Sequence, residues 1–181
     1  MMTFGEARFR VLIGWILSVA GCLGLALSTA YSFGLRINTS YSLPMGLYVT
    51  TSDTQSAFVE FCPSGESARL SKMRGYRSAG DCTDGAAPLL KPIVAREGDL
   101  VEMSVLGISV NGTLLRNTAP LARDGAGRPL ASWKFGTYRV APGQVWVTST
   151  YNRGSYDSRY FGPIAVTSIR SRLKPLWTLH Q

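Results

Sequence analysis

Apolar residues run without a charge from Val11 to Leu35, and beyond them the chain changes to short alternating stretches punctuated by Gly, Pro, Asn and Asp. Twenty-five residues at a helical rise of about 1.5 Å each exceed the roughly 30 Å hydrocarbon thickness of a bilayer, so the segment predicts a membrane-spanning helix. Arg8 and Arg10 precede it, and their retention on the cytoplasmic side puts the rest of the chain outside the cytoplasm. Two rival readings exist: Ser28-Thr29-Ala30 as a signal-peptide cleavage site, and Val19-Ala20-Gly21-Cys22 as a lipoprotein box with Cys22 lipidated. Both leave the apolar continuation from Gly24 to Phe33 unexplained, because a signal h-region spans only about 7 to 15 residues. The expected organisation is an N-terminal membrane anchor, 1–35, followed by one extracytoplasmic domain, 36–181.

Beyond the anchor the period is mostly that of strands. Gly46 to Thr50, Ala57 to Phe61, Leu89 to Arg96, Leu100 to Val105 and Gly107 to Val110 are β-rich runs, and Asn111-Gly112 is a hairpin turn signal into Thr113 to Leu115. Gln144 to Thr150 and Ile164 to Leu173 supply later strands, and only Ser64 to Tyr76 reads as helical. Short strands at regular intervals between Gly/Pro turns predict a mainly β, antiparallel domain with a strongly curved or barrel-like sheet.

Charge and cysteine content narrow the class. The formal net charge is +8, but the basic residues are scattered rather than clustered with aromatics, so no nucleic-acid partner is expected. Membrane lipids are the expected contact of a basic, aromatic tail holding Arg170, Arg172, Lys174 and Trp177. Cys62 and Cys82 flank a polar insert and are the two cysteines outside the apolar segment. A disulfide between them suits an oxidising compartment; free thiols are the alternative, and the spacing is wrong for a metal site, so no metal and no cofactor are expected.

The candidate chemistry lies just past the anchor, in Asn38-Thr39-Ser40-Tyr41-Ser42-Leu43-Pro44-Met45-Gly46. A serine nucleophile needs a base, and the single histidine, His180, is the penultimate residue. Lys91 is the candidate, with Leu89 and Leu90 before it and Pro92, Ile93 and Val94 after it. A lysine serves as base only when neutral, and apolar burial lowers its pKa from about 10.4. The competing reading is a strand lysine with its head in water.

SYSLPMGLY, KPIVAREGDLVE, ISVNGTLL and SYDSRYFGPI occur in the order and approximate spacing of the boxes of type I signal peptidases, membrane-anchored serine proteases with a serine-lysine dyad. INTSYSLPMGLY, RGYRSAGDC and the DGAGRPL loop from Asp124 to Leu130 resemble more narrowly the TraF-type conjugative transfer peptidases. The sequence departs from the broader family where Pro92 follows Lys91 and where Tyr151-Asn152-Arg153-Gly154 replaces a Gly-Asp-Asn run. Both departures favour the plasmid-type branch.

The resemblance implies roles residue by residue. Ser42 is the nucleophile and Lys91 the general base, with the Ser42 N–H and the Ser40 hydroxyl as oxyanion donors. Ser155 hydrogen-bonds the lysine, and Asp157 and Arg159 form a supporting ion pair, all three read as alternating on one face of an extended strand. It also implies the bacterial inner membrane as location, with the catalytic domain in the periplasm. The implied substrate is a conjugative pilin precursor or another membrane-bound preprotein. General signal-peptide removal and a non-enzymatic part of a mating apparatus are the alternatives.

Overall fold

A computed structural model describes residues 4–179, with side chains from Arg8 onward; His180 lies outside the described residues. The chain divides into two compact units, Met1–Arg36 and Ile37–Gln181. In the first, helix α1 (Phe4–Ser32) contains the stretch Arg8–Ser32, whose mean hydropathy of 2.2 and 25-residue length suffice to cross a membrane. Two of its hydroxyls bond within the helix, Thr29 donating to the Leu25 and Ala26 carbonyls and Ser32 to that of Ser28, which suits an apolar surrounding. Gly34 ends the helix in the left-handed region at φ 89°, returning its N–H to the Tyr31 carbonyl. Cys22 is an exposed free thiol on this helix.

The second unit is built mainly of strands. In chain order they are β1 (Leu35–Asn38), which starts just before the boundary, β2 (Gly46–Thr51), β3 (Phe58–Phe61), β4 (Leu89–Ala95), β5 (Leu100–Ser104), β6 (Gly107–Val110), β7 (Thr113–Leu114), β8 (Gly136–Arg139), β9 (Gln144–Val147), β10 (Ile164–Ala165) and β11 (Ile169–Thr178). Helix α2 (Gly65–Met73) lies between β3 and β4, and the single turn α3 (Ser158–Phe161) between β9 and β10. One seven-stranded sheet runs β1-β2-β11-β3-β4-β9-β10 and a four-stranded sheet runs β7-β6-β5-β8. Pairings are antiparallel throughout those described.

The residue pattern explains both sheets. In β5, Val101 and Met103 are buried while Leu100 and Glu102 are exposed, the alternation of a strand covered on one face; they join Ile108, Val140 and Trp146 in one core. In β3, Val59, Glu60 and Phe61 are all buried, and the strand is an interior one of its sheet, paired with β11 on one edge and β4 on the other. The predicted hairpin forms: Asn111 and Gly112 take φ 50° and 83° and Val110 pairs with Thr113.

Cys62 and Cys82 are bonded, with Cα atoms 5.8 Å apart, closing the insert that holds α2. That helix stops at Met73 rather than Tyr76, since Gly75 turns into the left-handed region at φ 71°. Buried Arg77 pins the insert by donating from Nε to Ser71 Oγ at 2.8 Å and pairing with Asp84. Several strands differ from the sequence expectation: β1 lies outside the expected runs, and the run from Ile164 to Leu173 is broken by a 3-10 turn, Val166–Ser168, into β10 and β11. β8 carries no periodic apolar signal, its GTYR being largely exposed, and β11 continues through Pro175 to Thr178, with a register irregularity just after the proline.

Candidate active site

The Ser40–Met45 loop joins β1 to β2 and is fixed from below. Leu43 is wholly buried against Tyr48 of β2 and Leu173 of β11, and the Tyr48 hydroxyl donates to the Pro44 carbonyl at 2.8 Å. Gly46, at φ 149°, begins β2 where a Cβ would overlap the Trp177 carbonyl, so only glycine lets the chain leave the loop against β11. The result is a rigid turn that holds Ser42 8% exposed.

Lys91 reaches that turn from β4, opposite Val59 of β3. It is 4% exposed, and its Nζ lies 2.7 Å from Ser42 Oγ. Burial is the main cause that pulls its pKa down from 10.5 to about 8, with the Asp157 carboxylate opposing and the Arg159 guanidinium assisting. At neutral pH roughly one lysine in ten is then unprotonated, against fewer than one in a thousand for a solvated one. Contact and basicity together allow proton transfer from Ser42 as its oxygen attacks a carbonyl.

Ser40 lies exposed at the rim, and its hydroxyl donates to Asn38 Oδ1 at 2.9 Å. Ser155 is 4% exposed and lines the same cavity as Lys91, but its Oγ makes no hydrogen bond among the described residues. The expected bond from Ser155 to the lysine is therefore not formed in this arrangement.

Asp157 and Arg159 are both completely buried and paired, Nε to Oδ1 at 2.8 Å and an Nη to Oδ2 at 2.8 Å. The route to that pair corrects the sequence reading of an extended strand. Asp157 is the N-cap of α3 and accepts from the Arg159 N–H, so Arg159 sits one helical step into the turn and folds back. A capping carboxylate satisfies helix N–H groups that have no intrahelical partner, which is why the box turns rather than extends. Arg159 also donates to the carbonyls of Asn117, Arg153 and Ser155, tying two loops to one guanidinium.

Ser40, Ser42, Lys91 and Ser155 line one cavity of about 410 Å³. Its wall includes residues that sequence reasoning did not assign. Tyr156 stacks on Tyr160 with centroids 5.6 Å apart and packs against Tyr76 at 5.1 Å, while Leu121 and Leu130 add apolar surface. Asp124 joins the disulfide-bounded insert to the loop after it. Its Oδ2 accepts from the Tyr76 hydroxyl at 2.6 Å, Arg128 Nε at 2.8 Å and Arg74 at 3.3 Å, and its Oδ1 from the N–H groups of Ala126 and Arg128. The Tyr76 bond, foremost, holds this carboxyl well below the usual range. The Asp-Gly turn signal at 124–125 marks the loop in the sequence, and Arg74 and Tyr76 belong to the RGYRSAGDC stretch; that the two segments meet, 48 positions apart from Tyr76 to Asp124, has no local signal.

Known proteins bear on this geometry. Residues 14–177 match the family described as signal peptidase, peptidase S26. Two plasmid transfer proteins TraF of Escherichia coli are similar, one 37% identical over 75% of this chain and 78% of its own, the other 32% identical over 95% and 99%. A probable conjugal transfer protein TraF of Sinorhizobium fredii (strain NBRC 101917 / NGR234) is 41% identical over 70% of this chain and 68% of its own. A solved signal peptidase I of Enterococcus faecalis V583 superposes with a TM-score of 0.38 at 18% identity, covering 69% of this chain and 99% of that one. By the extent of the family match and of its TraF relatives, this chain belongs to the peptidase S26 signal peptidase family.

Proposed function

We propose that the chain is a membrane-anchored serine endopeptidase of conjugative plasmid transfer, with Ser42 as nucleophile and Lys91 as general base, acting on a pilin precursor at the periplasmic face of the inner membrane. The observation that carries the reading is the 2.7 Å contact between Ser42 Oγ and a buried Lys91 whose pKa lies near 8. The TraF relatives, named for plasmid and conjugal transfer, favour conjugation over general secretion. The apolar helix and the disulfide suit an anchor and an oxidising compartment, where cytosolic reductants do not reach.

The steps follow from the contacts. Ser42 Oγ bonds to the scissile carbonyl carbon as its proton passes to Lys91 Nζ, and negative charge develops on the carbonyl oxygen beside the Ser42 N–H and Ser40. The C–N bond then breaks, with the lysine ammonium returning its proton to the departing amine. The acyl-Ser42 ester is released either to water, giving a linear product, or to the pilin's own N-terminal amine, giving a ring. A held amine competes with water through effective molarity.

Co-expression of the pilin precursor from the same transfer region with the protein, S42A or K91A, followed by intact-mass measurement, tests this. Wild type is expected to shorten the precursor and both variants to leave it whole. Unchanged processing in both variants defeats the serine-lysine mechanism, and a product one water heavier than the ring removes cyclisation alone.

A further inference from the structure

Asn38, the last residue of β1, is 6% exposed and directs its whole carboxamide at the nucleophile turn. Its Nδ2 donates to the carbonyls of Ser40, Leu43 and Pro44 at 3.0, 3.2 and 3.1 Å. Its Oδ1 accepts from the Ser40 N–H at 3.1 Å and from the Ser40 hydroxyl at 2.9 Å. Donors face one end and acceptors the other, so the amide orientation follows from the network. Neither a carboxylate nor a hydroxyl offers this combination: aspartate lacks the two N–H donors, and serine is too short and carries one hydrogen.

We propose that Asn38 is a positioning residue for the oxyanion site, acting through the Ser40 hydroxyl; the proposal rests on the serine-lysine reading above. Ser40, Ser42 and Lys91 line the same cavity, and Asn38 holds Ser40 there by three contacts, at its N–H, its carbonyl and its Oγ. In the resting geometry the hydroxyl proton points to Asn38. Rotation about the Cβ–Oγ bond redirects it toward a carbonyl oxygen as charge develops there. Asn38 Oδ1 meanwhile keeps the Ser40 N–H, so the swing leaves no buried acceptor without a partner. The exchange replaces a neutral hydrogen bond by a charge-assisted one, which is roughly twice as strong. The gain exists only in the transition state, the condition for raising the rate rather than the affinity. Without Asn38 the hydroxyl is free to turn to water, and the carbonyls of Ser40 and Leu43 lose a donor.

The test uses the full-length protein in non-ionic detergent with p-nitrophenyl acetate as probe. The step is balanced: Ser42 Oγ bonds to the acetyl carbon, its proton goes to Lys91, p-nitrophenolate leaves, and the mass of the protein rises by one acetyl in place of hydrogen. Both N38A and S40A are expected to slow acylation by about 100-fold, the usual effect of one lost oxyanion donor. The double variant is expected to be within about threefold of the slower single one, because both act through one hydroxyl. The rate ratio of this ester to its thiono analogue, whose sulfur accepts hydrogen bonds poorly, is expected to fall in N38A and S40A alike. That ratio is taken within one preparation, so a variant that is only partly folded still reports it. Multiplying effects in the double variant, or a wild-type ratio in N38A, overturns the proposal. Acylation of S42A at the wild-type rate instead overturns the serine-lysine reading beneath it.

Discussion

Replacing Lys91 by methionine is expected to abolish processing and yet make the folded protein more stable at neutral pH. The magnitude follows from the shift of the lysine from 10.5 to about 8. Below pH 8 the folded state carries an ammonium that burial disfavours, at a cost of about 3 kcal/mol at 1.36 kcal/mol per unit. Methionine has similar volume and no charge to desolvate. Loss of the contact to Ser42 Oγ takes back about 1 kcal/mol, leaving K91M about 2 kcal/mol ahead at pH 7. The sign of the pH dependence is equally fixed. Between pH 8 and 10.5 the unfolded chain binds more protons at this site than the folded one, so wild type gains about 1.4 kcal/mol per pH unit relative to the variant. That stability is fully present above the unfolded pKa and lost as pH falls through the folded one. Urea unfolding of both full-length proteins in non-ionic micelles, followed by tryptophan fluorescence from pH 7 to 10, measures the difference. Parallel stabilities across that range, or a variant weaker than wild type at pH 7, would refute a desolvated lysine as the base.

Three further outcomes follow from the same contacts. Single-turnover processing is expected to rise about tenfold per pH unit below pH 8 and to level off above pH 9, as neutral Lys91 becomes the major form; a rate flat from pH 6 to 9 contradicts it. Arg159→Ala is expected to cost about 3 to 5 kcal/mol, since it leaves Asp157 charged in a wholly buried site, and an unchanged thermal melting temperature excludes that role. Reduction of the Cys62–Cys82 bond, which spans 20 positions, is expected to lower stability by about 3 kcal/mol in the chain-entropy picture. Equal urea midpoints with and without a reductant argue against it.

Much of this was legible locally. The charge-free run after Arg10 exceeds a bilayer's thickness whatever follows it, and the Asn111-Gly112 hairpin needs only the left-handed tolerance of those two residues. Strands β2 to β7 were legible as β-rich runs between turn residues, and β5 also alternates. The GTYR of β8 was not, because its pairing with β5 is set by the partner strand rather than by its own side chains. The turn at Asp157 escaped for a related reason: a cap and a strand residue look alike until the following N–H groups need an acceptor.

Sequence alone determined the kinds of group available: a serine beside an apolar anchor, a lysine flanked by Leu90 and Pro92, a carboxylate and a guanidinium two positions apart. Their chemical identities are local properties, and so is the length of the apolar helix. Tertiary structure decided which of them meet. The 2.7 Å contact of Lys91 with Ser42 crosses 49 positions of sequence, and no local rule sets it. The lysine's basicity belongs to the same level, because a pKa near 8 arises from the burial of its ammonium against the Ser42 turn and not from the residue itself.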